Sequence, residues 1–167
     1  MDNTSKTLPG AKETSHAQVP MGRMVLRWVL VAAMAAFIFY MSSRTAGQLG
    51  TGLFAQVKAQ MNAWLAASFG LAGDPMSTVA HFCEYLVLGA LLVNALRSHM
   101  SLGRALVLAI VCASAYGVTD EIHQIFVEGR YCDAADWLTD TLGAALGAAL
   151  RLAVGRSAGD GSSLASR

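Results

Sequence analysis

The chain has 167 residues, a formal net charge of +1, 54% hydrophobic residues and 14% charged residues. An ordinary soluble domain carries about 25% charged residues, so the composition favours a membrane protein. No basic run long enough for nucleic-acid binding is present, and we expect no second globular domain beside a helical bundle.

The two ends of the chain differ from its middle. Residues 1–22 are mostly polar and lack apolar periodicity, which predicts a flexible tail. The first apolar segment starts only after Arg23 and Arg27, too far along the chain for a cleavable secretory signal. Residues 155–167 are assigned to a second flexible tail.

Residues 23–154 contain four apolar segments, at about 24–43, 77–96, 103–119 and 133–154. Each is close to the roughly 20 residues that a membrane-spanning helix needs. The predicted fold class is therefore all-α, a polytopic bundle of four transmembrane helices. The second and fourth segments carry acids, which lowers their hydropathy but often marks a functional position.

The segment between the first two spans has an amphipathic pattern. One half of its helical wheel is apolar and the other is mostly polar. We predict an interfacial helix on the outward side of the membrane, and a loop helix packed on the bundle is the open alternative. The apolar positions are Leu53, Val57, Met61, Trp64, Leu65 and Phe69.

Basic residues flanking the spans predict the orientation. With four crossings, one side holds Arg23, Arg27, Arg97, Arg104, Arg151 and Arg156, while the other holds only Arg44, Lys58 and Arg130. The positive-inside rule then makes both termini cytoplasmic in a bacterial inner membrane, with residues 44–76 and 120–132 facing outward. Small-residue spacings at Gly143-x-x-x-Gly147 and Ala113-x-x-x-Gly117 favour close helix association without naming the partner.

Ionisable and polar residues gather at the predicted outer end of the bundle. His81 and Glu84 share one helix face, and Asp133, Asp136 and Asp140 share another. Asp140 and Glu84 lie too deep for a lipid-facing charge, so both should face the bundle interior. The candidate site residues are His81, Glu84, Tyr85, Asp120, Glu121, His123, Gln124, Arg130, Asp133, Asp136 and Asp140.

Acidic residues outnumber basic residues among these candidates, so their excess negative charge must be neutralised or balanced. Raised acid pKa values, protonated histidines and a bound cation are all open. A cation held by carboxylates and imidazole without thiolate would be Mg²⁺, Mn²⁺, Ca²⁺ or Zn²⁺, but a divalent cation is not the option that the sequence favours. The scattered Cys83, Cys112 and Cys132 form no metal or redox motif.

Purely structural roles are also open for several of these residues. His81 alone is typical of a hydrogen-bonded core histidine. Asp133 and Asp136 suit the start of a helix, where carboxylates cap free N–H groups. Glu84 and Asp140 instead suit an interhelical network, with Tyr85, Tyr116 or Thr139 as the partners that the sequence offers.

Four motifs in order resemble the VanZ-like family of bacterial membrane proteins. They are H-F-C-E-Y-L-V-L-G at 81–89, D-E-I-H-Q-I-F at 120–126, G-R at 129–130, and D-x-x-D-x-x-x-D-x-x-G from Asp133 to Gly143. The resemblance implies a cytoplasmic-membrane location. Through the founding member it also implies an association with low-level teicoplanin resistance, but it supplies no settled mechanism.

Three functions are compatible with these observations. The first is a non-enzymatic protein that binds a lipid headgroup or a lipid-linked envelope precursor at the acidic outward site. The second is an intramembrane hydrolase or transferase with Glu84 or His123 as general base and Arg130 steadying charge. The third, a proton or solute carrier, is the least favoured because no inverted repeat is apparent.

Overall fold

The computed structural model describes residues 20–45, 48, 50–70 and 73–164, without the side chains of Phe54 and of residues 155–164. Of the predicted tail at residues 1–22, residues 1–19 lie outside this range, as do residues 165–167 of the second predicted tail. Five helices run through the described residues, which contain no strand: α1 Met21–Ser42, α2 Gly52–Phe69, α3 Pro75–Leu96, α4 Leu102–Gln124 and α5 Ala134–Leu164. The all-α prediction is confirmed.

Three of these helices, α1, α3 and α4, are long and apolar enough to cross a membrane. Helix α5 is outside this set, and it carries Asp136, Asp140 and Arg151, which lower its hydropathy. The fourth crossing therefore stays a prediction. Two helices extend beyond their predicted C-terminal bounds, since α4 continues to Gln124 and the backbone of α5 stays helical through residues 155–164.

Local sequence signals account for the helix ends. Asp74 caps α3, where its Oδ1 accepts a hydrogen bond from the Ser77 N–H at 3.2 Å, and Pro75 occupies the first turn. Helix α2 stops at Gly70, whose φ of 67° is in the left-handed region that favours glycine. Before α5, the Oδ1 of Asp133 accepts from the Ala135 N–H at 2.8 Å, so its predicted capping role is confirmed.

Helices α3 and α5 form the most extensive contact in the bundle. Gly89 of α3 faces Ala144, while Gly143 and Gly147 of α5 face the carbonyl oxygens of Phe82 and Leu86. A Cβ added at any of the three glycines would lie far inside van der Waals contact with backbone atoms. The spacing of Gly143 and Gly147 therefore marks a contact within the chain, and its partner is α3.

Polar contacts at one end of the bundle join helices that are distant in sequence. Arg27 donates a hydrogen bond to Ser98, the Trp28 Nε1–H donates to His99 Nε2 at 3.2 Å, and Arg151 Nη2 donates to Asn94 Oδ1 at 3.1 Å. The start of α1, the turn after α3 and the later part of α5 thus lie at the same end. The candidate acids lie at the opposite end.

We predict that Gly147→Ala destabilises the protein strongly. The new Cβ would overlap the Leu86 carbonyl, and overpacking of this kind costs about 1–3 kcal/mol. Thermal unfolding of the detergent-purified protein measures the effect. Gly103→Ala is the matched control, because nothing lies within 4 Å of a Cβ there and helix propensity improves equally. Equal melting temperatures for the two variants would contradict the close approach.

Candidate functional site

An open polar cavity of about 800 Å³ lies between α2, the start of α3 and the start of α5. Its charged and amide lining comes from separate parts of the chain. The lining includes Lys58, Asn62, Asp74, Arg130, Asp133 and Asp136. The cavity can therefore accommodate a group of mixed charge at the acidic end of the bundle.

A second, smaller cavity of about 270 Å³ adjoins the first and is mostly apolar. Met41, Val57, Met61 and Met76 contribute methionine and aliphatic surface from α1, α2 and α3. His81 and Glu84 also line this cavity and place polar atoms on its wall. The two cavities have four lining residues in common: Lys58, Ser77, Val79 and Arg130.

Four predicted residues converge beneath these cavities in a buried cluster, which we call the acid–histidine cluster: His81 of α3, Asp120 and Glu121 of α4, and Asp140 of α5. One ligand atom from each lies within 4.8 Å of the others. Their exposed fractions are 6%, 4%, 3% and 0%. His81 Nδ1 lies 3.1 Å from Asp140 Oδ1, so the two side chains are hydrogen-bonded across the α3–α5 contact.

Gln124 connects the acid–histidine cluster to the cavities. Its Nε2 lies 3.4 Å from Asp120 Oδ2 and 3.4 Å from Glu121 Oε1, and its Oε1 accepts from Arg130 Nε at 3.3 Å. The φ of 76° at Gly129 turns the chain back after α4, and Arg130 follows directly. A continuous polar path thus leads from the buried acids to a guanidinium on the cavity wall.

The remaining predicted residues divide into two groups. Glu84 lines the apolar cavity, Asp133 and Asp136 line the polar cavity, and Tyr85 is fully buried close to the acid–histidine cluster. His123 lies elsewhere, with its ring stacked on Phe39 at 4.5 Å between centroids and its Nε2 3.0 Å from Ser43 Oγ. His123 lines neither cavity, although it is close to Asp120 and Glu121 in the sequence.

Tyr116 and Thr139 bond elsewhere in the structure. The Tyr116 hydroxyl donates to the Ala35 carbonyl at 2.7 Å, and the Thr139 hydroxyl donates to the Ala135 carbonyl at 2.9 Å. Asp140 has His81 as its hydrogen-bond partner instead. The interhelical link at Asp140 therefore joins two of the candidate site residues directly.

Sequence reasoning missed the residues that attach α2 to the site. Lys58 pairs with the Asp74 carboxylate, the Asn62 Nδ2 donates to Asp74 Oδ1 at 2.7 Å, and the Asn62 Oδ1 accepts from the Met76 N–H at 3.0 Å. The polar half of the α2 wheel and the Asp74–Pro75 helix start were the available signals. The apolar half stays largely exposed, with Trp64 57% and Phe69 65% accessible, and its interfacial position stays a prediction.

The electrostatics of Asp74 follow from these contacts. Partial burial raises the pKa of this carboxyl, but hydrogen bonds from Lys58 and Asn62 and the charge of Lys58 outweigh burial. The net effect is a pKa below the usual range. The contact therefore stabilises the attachment of α2 when Asp74 is ionised.

A model of the VanZ/LLP1 family matches residues 27–154. The chain belongs to the VanZ/LLP1 family. The matched range contains the whole acid–histidine cluster, both glycines of the Gly143-x-x-x-Gly147 spacing and Arg130. Searches of curated proteins and of solved structures each found no match.

We predict that Asp74→Asn loosens α2 at neutral pH but not in acid. Asparagine keeps the cap acceptor and removes the charge that binds Lys58. Because the folded pKa of Asp74 is lowered, its stabilising effect is complete above the unfolded value of about 3.9 and is lost as pH falls through the folded value.

Hydrogen exchange of residues 52–69 measures this effect, with wild type and variant compared at the same pH. The variant should exchange faster at pH 7, and the difference should disappear in acid. Glu128→Gln, a charge removal in the exposed loop after α4, is the control. A wild type and an Asp74→Asn variant with equal exchange at pH 7 would show that the ion pair does not hold α2.

Proposed function

We propose that the protein is an integral protein of the bacterial cytoplasmic membrane that binds an amphiphile with an anionic headgroup at its outward-facing end. The ligand class is a membrane phospholipid or a lipid-linked envelope precursor. The observation that carries the proposal is the pair of adjoining cavities, one polar and one apolar, with Lys58 and Arg130 at their junction.

The membrane arrangement in this proposal has four spans, with α5 as the fourth. Helix α5 packs along α3, which is itself apolar enough to cross a membrane. Basic residues lie together at the end marked by the Arg27–Ser98 and Arg151–Asn94 contacts. Placing this end in the cytoplasm satisfies the positive-inside rule and makes both termini cytoplasmic, with the cavities outward.

Arg130 is the residue best suited to bind the headgroup. Its Nε is held by Gln124, while neither Nη atom has a hydrogen-bond partner among the described residues. A guanidinium presents several N–H donors in a fork that matches a phosphate or carboxylate, and such charge-assisted bonds are among the strongest in proteins. Lys58, which is paired with Asp74, lines the same cavity.

The apolar features of the site suit the chain of an amphiphile. The smaller cavity is bordered by methionines, whose flexible side chains adapt to irregular apolar ligands. Leu53, Trp64 and Phe69 leave an exposed apolar surface on α2, and tryptophan favours the membrane interface. In this proposal α2 lies in the interface and borders the entrance to the cavities.

The geometry supports binding more than catalysis. An intramembrane hydrolase or transferase would need a general base, and His123 lines neither cavity. Of the two bases that the sequence named, Glu84 does line the apolar cavity, where His81 is a further basic group. Glu84→Gln keeps the shape of this side chain, so a binding protein should tolerate the substitution while an enzyme using Glu84 should lose turnover.

We predict that Arg130→Gln weakens binding of a polyprenyl phosphate by about tenfold or more, since hydrogen bonds to charged groups contribute about 1.5–3 kcal/mol. Binding to the protein in nanodiscs is measured for polyprenyl phosphate, polyprenyl alcohol and phosphatidylglycerol. We expect the protein to prefer the phosphate-containing lipids over the alcohol. Comparing its affinities for polyprenyl phosphate and phosphatidylglycerol then shows whether the ligand is a lipid-linked precursor or a bulk phospholipid.

Arg104→Gln is the matched control, because Arg104 is exposed near the start of α4, at the opposite end of that helix from the cavities. Its binding should equal that of wild type. Equal affinity for the phosphate and the alcohol, or unchanged binding by Arg130→Gln, would contradict recognition of the headgroup.

The proposal extends to teicoplanin tolerance through the VanZ-like resemblance. We predict that the wild-type gene restores envelope-lipid composition and teicoplanin tolerance to a deletion strain and that Arg130→Gln does not. His123→Asn should complement fully, because His123 lies outside both cavities. If Arg130→Gln reached normal levels in the membrane and still complemented the deletion, the cavities would not be needed for the physiological role.

A further inference from the structure

The acid–histidine cluster holds more negative charge than its protein partners balance. Asp120, Glu121 and Asp140 supply three carboxylates, and all are at least nine-tenths buried. Arg130, the nearest guanidinium along the polar path, bonds to Gln124 rather than to an acid. A protonated His81 would balance one of the three carboxylates, which would leave about two without a counter-charge when all three are ionised.

Hydrogen bonds also leave this cluster incomplete. One Gln124 amide is shared between Asp120 and Glu121 at 3.4 Å each, and the Asp133 N–H donates to Glu121 Oε2 at 2.7 Å. Within the described part of the chain, Asp140 has only His81 on Oδ1, and its fully buried Oδ2 has no hydrogen-bond partner. Burying a carboxylate oxygen without a hydrogen-bond donor costs free energy, and a bound ion or water usually accounts for such a group.

Tyr85 provides an independent observation. Its side chain is 0% exposed, yet its hydroxyl has no hydrogen-bond partner among the described residues. Tyr85 lies one helical turn after His81 on the same face of α3. Two unpartnered polar groups thus accompany the four converging side chains at one place.

We propose that His81, Asp120, Glu121 and Asp140 form a binding site for a hard divalent cation, with Mn²⁺ as the best fit. Three carboxylates and one imidazole suit Mn²⁺ better than Ca²⁺, which prefers oxygen ligands alone. The three cysteines are exposed and outside the cluster. A thiolate zinc site is therefore not formed by these residues.

The spacing of the ligand atoms agrees with this assignment. Oxygens on opposite sides of a cation are about 4.0–4.2 Å apart for Mg²⁺ bonds and about 4.6–5.2 Å apart for Ca²⁺ bonds. The four ligand atoms of the cluster all lie within 4.8 Å of one another. Small side-chain adjustments are enough for all four to contact one ion between α3, α4 and α5.

The cation would have two consequences. It would hold three helices together at the acidic end, in the way that metal sites in helix bundles use side chains from facing helices. It would also add positive charge beside His81, which lines the apolar cavity, and beside the Gln124–Arg130 path. Only this second consequence, assistance in binding a phosphate, rests on the proposed function.

The test uses the full chain in detergent, treated with EDTA and then dialysed, without added lipid. Loss of the free Mn²⁺ signal in electron paramagnetic resonance measures binding, and thermal unfolding measures stability. We expect one Mn²⁺ per chain, and a melting temperature that falls with EDTA and recovers with Mn²⁺. An EDTA-treated wild type that binds no Mn²⁺, Mg²⁺ or Ca²⁺ would overturn the proposal.

Variants locate the site. Asp140→Asn should weaken Mn²⁺ binding at least about tenfold, and Asp120→Asn provides a second test if Asp140→Asn does not fold. Glu128→Gln, removal of an acid in the exposed loop after α4 that lines neither cavity and is outside the four ligands, should stay within about threefold of wild type. Equal Mn²⁺ affinity in folded Asp140→Asn and Glu128→Gln would refute the assignment.

Lipid binding separates the two proposals. If the cation site exists but the lipid proposal fails, Mn²⁺ binds and polyprenyl phosphate does not. If the lipid proposal holds without the cation, polyprenyl phosphate binds equally well in EDTA and in Mn²⁺, and the metal measurements are negative. Stronger phosphate binding in Mn²⁺, lost in Asp140→Asn, would support both.

Discussion

The close approach of α3 and α5 is the constraint on which the rest of the structure depends. Gly89, Gly143 and Gly147 remove the side chains that would hold the two backbones apart. At this distance the short side chain of Asp140 reaches His81 on the facing helix. A larger residue at any of the three glycines would push the two helix backbones apart. It would also move Asp140 away from His81.

The two ends of the bundle carry different charged residues. One end gathers arginines that bond to neutral side chains such as Ser98 and Asn94. At the other end, three acids are buried, and α4 contributes two of them in its last turn. Buried charges of one sign need a counter-charge, so this end is where a cation and an anionic headgroup can act together.

The cavities lie where α2 meets the bundle. Helix α2 is attached chiefly through polar contacts of Lys58 and Asn62 with the start of α3, while much of its apolar surface is exposed. This division leaves an apolar cavity beside a polar one instead of a closed core. The proposed amphiphile would match both, with its charged group near Arg130 and its chain among the methionines of the smaller cavity.

The sequence by itself determined the helices, including the three that are apolar enough to cross a membrane, and most of the polar residues, because helical periodicity depends on neighbours a few positions apart. It also placed Gly143 and Gly147 in a helix contact. Only the tertiary structure decided that α3 is their partner, that His123 turns to Ser43 and Phe39, and that Lys58 pairs with Asp74. These outcomes depend on which helix faces meet, and residues far apart in the chain carry no local signal of that choice.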